Sequence, residues 1–154
     1  METLESLLGH APFFDGLGPE RVALLAGCGG NVRFAAGQSI FRQGDPADVF
    51  YVLRHGTVAL ELFVPSRGPV MIETLEAGEV LGWSWLFAPY RWHFDARALT
   101  VVRGTGFDGA CLREKCEAEP ALGYELMGRF AQVVIERLQW TRLRLLDVYG
   151  DGRV

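Results

Sequence analysis

Apolar and polar positions along the chain fall into three regimes. In the first, Leu4, Leu7 and Leu8 recur at helical spacing. Pro12, Phe13 and Phe14 then open an apolar turn, and Val22, Leu24 and Leu25 recur after Gly18-Pro19-Glu20. Proline at an early position with an acid in the first turn marks a helix start, and Gly27 to Gly30 marks its stop. From Asn31 the period changes. Short β-prone runs appear at Asn31 to Phe34, Ser39 to Phe41, Val49 to Leu53, Thr57 to Val64 and Val70 to Leu75. Glycines at 37, 44, 56, 68 and 78 separate them, a spacing that predicts an all-β sandwich or barrel. Val58, Leu60 and Leu62 alternate with Ala59, Glu61 and Phe63, as in a half-buried strand.

An aromatic stretch, Trp83-Ser84-Trp85-Leu86-Phe87, interrupts this pattern. Two further strands are predicted around His93 to Leu99 and Val101 to Phe107. Asp108 then caps a helix starting near Gly109, and Pro120 fits the first turn of the last helix. In that helix Leu122, Leu126, Phe130, Val133, Val134, Leu138, Thr141 and Leu145 recur at spacings of three and four. Met127, Ile135 and Leu146 form a second stripe. Two stripes imply two partners, the β-structure and a second copy of the helix in a two-fold homodimer. One wide stripe packing only on its own domain is the competing reading.

The predicted fold is mainly β: an eight-stranded antiparallel β-barrel, a jelly roll, with N-terminal helices and a long C-terminal helix. It is read as one domain over 1–154, with N-terminal helices in 1–29, the barrel in 30–108 and C-terminal helices in 109–148. A chain of 154 residues buries about 70% of its unfolded surface without needing a staple. Apolar residues at 49%, charged ones at 22% and a net charge of −4 describe a globular protein with no global attraction for nucleic acid. Cys28, Cys111 and Cys116 are odd in number and widely spaced, which predicts thiols in a reducing cytoplasm rather than a disulfide framework. The acidic N-terminus is not a signal peptide, and no apolar run spans a membrane.

His10, His55 and His93 do not pair at ligand spacing, so no metal centre is expected. No Gly-x-Ser-x-Gly nucleophile motif occurs, and no catalytic role and no cofactor are assigned.

The order of helices, glycine-punctuated strands and a long helix resembles the cyclic-nucleotide-binding domain of the catabolite-activator and fumarate–nitrate-regulator superfamily. Phe13-Phe14 with Leu17, the run Gly37 to Gly44, Phe50 to Leu53 with Gly56-Thr57-Val58, and Gly78-Glu79-Val80-Leu81-Gly82 carry the resemblance. The resemblance implies a ligand-binding cassette. Glu79 would accept from a ribose hydroxyl. Trp83 and Ser84 would begin a short helix whose N–H groups face a phosphate. Where the family places Arg-Ser/Thr-Ala, this chain has Phe94-Asp95-Ala96. There Asp95 would repel a phosphate by a few kcal/mol at an effective dielectric of about 20. Arg91 would either supply the countercharge or, with Arg97, pair with Asp95. The aromatics around Trp83 would pack the core, line a ligand pocket or fill it.

Two functions follow. One is a regulatory sensor that binds a cyclic nucleotide, cAMP or cGMP, or another small ligand, and signals through its last helix. The other is a degenerate dimerisation or protein-interaction module whose partner the sequence does not name. Val148 to Val154 do not form a helix-turn-helix, so direct DNA binding is not expected. Arg129, Arg137, Arg142 and Arg144 are read as a solvated basic face, or as partners of Glu125 and Glu136.

Overall fold

The computed structural model describes residues 3–151, with side-chain surroundings up to Asp147. Three short elements lead in: α1 (Leu4–Gly9), a 3-10 turn (Pro12–Phe14) and α2 (Pro19–Ala26). Thr3 caps α1 by accepting from Ser6 N at 3.1 Å. Eight strands follow: β1 (Gly29–Phe34), β2 (Ser39–Phe41), β3 (Val49–His55), β4 (Val58–Val64), β5 (Gly68–Leu75), β6 (Val80–Leu81), β7 (Asp95–Ala98) and β8 (Val102–Asp108). The chain continues into α3 (Gly109–Ala118) and α4 (Pro120–Asp151). Asp108 caps α3, accepting from Cys111 N at 3.1 Å. The strand spacing read from the glycines is the observed one, save β6, two residues hidden inside the Gly78 to Gly82 run.

The strands form two antiparallel four-stranded sheets, ordered β1-β8-β3-β6 and β2-β7-β4-β5. This is the expected eight-stranded antiparallel jelly roll, with the barrel left open. Among the described residues no ladder joins an edge of one sheet to the other, and the result is an open jelly-roll sandwich. Its shortest strands, β2 and β6, are only three and two residues long and leave little edge to pair.

Strand alternation separates two cores. Phe50, Val52, Val80 and Phe107 face the helices, where they meet Leu8, Phe14, Leu25, Trp85, Leu112, Leu122, Leu126 and Phe130. Leu53, Leu81 and Val102 face the second sheet and meet Phe41, Leu60, Leu75, Trp92, Ala96 and Ala98. Two glycines permit this packing. A Cβ on Gly56 would lie 2.2 Å from the Val101 carbonyl oxygen, and one on Gly82 would lie 2.6 Å from the Trp92 ring. Both have positive φ, 95° and 97°, which glycine adopts without strain.

The long helix departs from the two-stripe expectation. Leu122, Leu126 and Phe130 are fully buried, but Leu138 and Leu145 of the same stripe are 46% and 52% exposed. Past Phe130 no described α4 residue is buried. Three of the four arginines of α4 also correct the solvated-face reading, while Arg142 is exposed as read. Arg129 donates to the Phe13 carbonyl at 2.7 Å, Arg137 to that of Val80 and Arg144 to that of Ile72. Steps of eight and seven residues, about two turns each, keep these three on the side facing the sandwich. Of the expected acid partners, Glu125 pairs with Arg129 at 3.6 Å.

Cys28 and Cys111 are joined in a disulfide, and Cys116 is free, which corrects the expectation of three thiols. The odd count concealed the pair, and 83 residues of sequence separated it. The bond ties the residue before β1 to the first turn of α3. Closing a loop of this length stabilises a fold by about 2–5 kcal/mol. Tris(2-carboxyethyl)phosphine is therefore expected to lower the calorimetric melting temperature by roughly 5–15 °C. An unchanged melting temperature, with three thiols titrating before reduction, would contradict the link.

Candidate functional site

The stretch Gly78 to Ala96 was expected to form the ligand site, and the structure divides it. Gly78, Glu79 and Val80 line a cavity of about 350 Å³ between the sandwich and α4. Pro12, Phe13 and Glu73 complete that wall, and Arg129, Gln132, Val133, Glu136, Arg137 and Trp140 form the α4 side.

The remaining expected residues lie elsewhere. Leu81 and Ala96 are buried in the inter-sheet core. Gly82 backs onto Trp92. Ser84 is buried in a 3-10 turn (Ser84–Leu86). Three residues of 3-10 geometry do not amount to the phosphate-facing helix expected from Trp83. Phe94 packs against the inter-sheet core and meets Trp83 edge-on at 6.2 Å. Phe41 lies stacked on Trp92 at 3.7 Å. Aromatic side chains thus occupy the space between the cassette and the strands beneath it.

Asp95 is not paired with either arginine among the described ion pairs. In β7, Ala96 and Ala98 point into the core, so Asp95 and Arg97 project from the opposite face. Asp95 accepts from Gln43 N at 2.7 Å. Arg97 binds Glu61 through two bonds of 2.8 and 3.2 Å, and that bidentate contact raises the guanidinium's affinity for its proton. Arg91 is exposed and donates to the Gly44 carbonyl at 3.3 Å. Glu79 accepts from Glu76 N at 2.6 Å, closing the turn between β5 and β6.

The residue that organises the cavity is Arg137. Its guanidinium lies 4.9 Å from the centre of the Trp83 ring, a cation–π geometry, and donates to the Val80 carbonyl. Glu73 lies 4.0 Å away. Burial pulls the guanidinium below the ordinary arginine range, and Glu73, Glu79 and Glu136 oppose that pull. Arg137 Nη1 and Arg129 Nε are buried without a hydrogen-bond partner. The site therefore holds two cations, an unspent donor on Arg137 and one on Arg129 met only by Glu125 at 3.6 Å, three carboxylates in Glu73, Glu79 and Glu136, and the Trp140 ring. Sequence reading reached Arg137 only as a helix charge, reached Arg129 also as one of the early α4 residues (with Leu126, Met127 and Phe130) that the family resemblance sets near a nucleotide base, and missed Glu73 and Trp140. The eight- and seven-residue arginine spacing was the available signal.

A family model described as the cyclic nucleotide-binding domain matches residues 31–119. The chain belongs to this family. A CRP-like cAMP-activated global transcriptional regulator of Mycobacterium tuberculosis is 26% identical over 98% of this chain and 67% of its own length. Among solved structures, a protein from Geobacter metallireducens GS-15, described as a candidate cyclic nucleotide-binding protein, is 32% identical. It covers 90% of this chain and 99% of its own, with a TM-score of 0.80. The N-terminal domain of a transcriptional regulator from Streptomyces coelicolor A3(2) is 28% identical, with a TM-score of 0.69 over 91% of this chain and 95% of its own. In this member of the cyclic nucleotide-binding domain family the first three cassette residues line the cavity facing α4, and aromatic side chains pack the stretch around Phe94.

Two outcomes are expected. Replacing Arg137 with Met removes the contacts to Val80 and Trp83 while keeping the apolar stem. Hydrogen exchange should then quicken over residues 133–147 and stay slow over 122–130, where apolar burial holds the helix. Equal protection across α4 would contradict the division. The second outcome concerns Glu73. Burial raises its carboxyl above the ordinary 4.5, Glu79 adds to the rise, and Arg137 and Arg144 oppose it. A raised carboxyl means the folded state holds the proton more tightly. Its contribution is therefore full below pH 4.5 and falls as pH rises through the folded value. Melting curves from pH 4.5 to 7 should show wild type losing stability relative to the Glu73→Gln variant as pH rises. A relative gain would reverse the assignment.

Proposed function

We propose that this regulatory sensor domain reads a small anionic ligand in the cavity between the start of the cassette and α4 rather than against the aromatic-packed stretch around Phe94. The buried, unpartnered Nη1 of Arg137, with the Arg129 guanidinium on the same wall, carries this reading, because an unpartnered buried N–H costs about 1–3 kcal/mol and an oxyanion repays it. A cyclic nucleotide, cAMP or cGMP, is the first candidate, on the kinship with the cAMP-activated regulator. Its phosphate would meet the two arginines, its hydroxyls the carboxylates of Glu73, Glu79 or Glu136, and its base the Trp140 ring. The occupant would touch the β5–β6 turn and α4 together. It would compete with Val80 and Trp83 for Arg137, so binding would shift the balance between two positions of the helix's second half.

The second reading, an interaction module, rests on the outer face of α4. Met127, Ile135, Leu138, Leu143 and Leu146 are exposed there. A second copy of α4 would bury them in a homodimer. Sensor and dimer are compatible if ligand binding alters how the two helices meet.

Isothermal titration with cAMP and cGMP tests the sensor. Saturable binding is expected, weakened at least tenfold by Arg137→Met together with Arg129→Met. Affinity unchanged in that variant would move the ligand elsewhere. No heat from either nucleotide, with light scattering at twice the chain mass, would leave the interaction module as the function.

A further inference from the structure

The chain is acidic overall, yet one sheet surface gathers three arginines and a histidine. Strands β1, β8 and β3 lie side by side and carry Arg33, Arg103, Arg54 and His55. Their single acid, Asp108, is spent capping α3. Pairing register sets Arg33 directly opposite Arg103, and Arg103 directly opposite His55, so three cationic or titratable side chains form one row across the sheet. All three are exposed. Like charges directly opposite one another destabilise a sheet. Among the described residues none of these side chains has an ion-pair partner. Arg54 stands at the register shift between Leu53 and His55, without a Cα partner of its own. It donates to Thr105 Oγ1 at 2.6 Å and to Asn31 Oδ1 at 3.0 Å, which fixes its guanidinium in place.

We infer that this row docks an extended acidic segment of another protein. Charge complementarity names the chemistry, and the topology names the shape. β1 is the outermost strand of its sheet, and its far edge is unpaired among the described residues. None of the described cavities is lined by these arginines. The surface is thus a strip rather than a pocket. A partner strand added to β1 would satisfy the edge by main-chain hydrogen bonds. The side chain placed opposite Arg33 would share its face, so a carboxylate there would meet Arg33 directly, with Arg103 one strand further along the same row. This surface is separate from the α4 cavity and does not depend on what fills it.

Fluorescence anisotropy at low salt tests the inference on the whole chain. The probes are a labelled peptide alternating glutamate and threonine, its lysine–threonine counterpart, and a labelled oligothymidylate. The glutamate peptide is expected to bind at least tenfold tighter than the lysine peptide. Arg33→Glu with Arg103→Glu should abolish that preference without lowering the melting temperature. Arg33→Lys with Arg103→Lys should retain part of it. Equal binding of the two peptides, or no effect of the charge reversal, would overturn the inference. Tighter binding of oligothymidylate than of the glutamate peptide would overturn it in favour of a nucleic-acid surface.

Discussion

The helical side of this domain, from the N-terminal turn to α4, is organised around the burial of Phe50. Its ring stacks on Phe107 at 4.6 Å and on Trp85 at 5.4 Å, and meets Phe130 edge-on at 5.1 Å. Phe13 reaches the same group at 6.2 Å. Those five rings come from the N-terminal turn, two central strands, the cassette and the long helix. A fully buried aromatic ring is worth several kcal/mol in transfer and packing, and ring–ring geometry adds about 0.5–1.5 kcal/mol per pair. One apolar cluster therefore decides where the cassette sits, where α4 starts and where the N-terminal turn closes. The α3 helix reinforces it: Arg113 bonds the Trp85 carbonyl and lies 4.4 Å over the Tyr90 ring.

The same cluster sets the limit of what is rigid. It grips α4 as far as Phe130 and no further. Beyond that point the helix is held by guanidinium-to-carbonyl contacts, which are directional and exchangeable for other acceptors, unlike apolar burial. The cavity opens at this change of regime. A polar occupant there would compete for the arginines without disturbing the aromatic hub. That is a physical basis for a sensor in which the first half of α4 is a fixed anchor and the second half responds.

Much of the fold was legible because its signals are local. Glycine spacing announced the strands, Asp108 and Pro120 announced the helix starts, and the Gly78 to Gly82 run marked the cassette. What the sequence concealed depends on distance. Cys28 and Cys111 sit 83 residues apart, and nothing in the odd cysteine count identifies them as partners. Closure of a barrel is a property of strand edges, which strand patterning does not encode. Asp95 was read as facing a phosphate, but alternation in β7 turns it toward Gln43. Arg129, Arg137 and Arg144 looked solvated because their acceptors are backbone carbonyls, which every residue carries and no sequence pattern displays. Glu73 and Trp140 join the cavity only through the docking of α4 on β5.

The central claim is that a ligand enters beside α4 and leaves the aromatic hub untouched. The chain has four tryptophans, and they divide cleanly: Trp140 lines the cavity and Trp83 lies under Arg137, while Trp85 and Trp92 are buried in the two cores. A nitrogen–proton correlation spectrum of the indole groups, recorded while cAMP is titrated in, reads all four at once. The Trp140 and Trp83 signals are expected to move together and saturate, with Trp85 and Trp92 nearly still. Movement of Trp92 and Trp85 with Trp140 unmoved would place the ligand inside the cassette and contradict the claim.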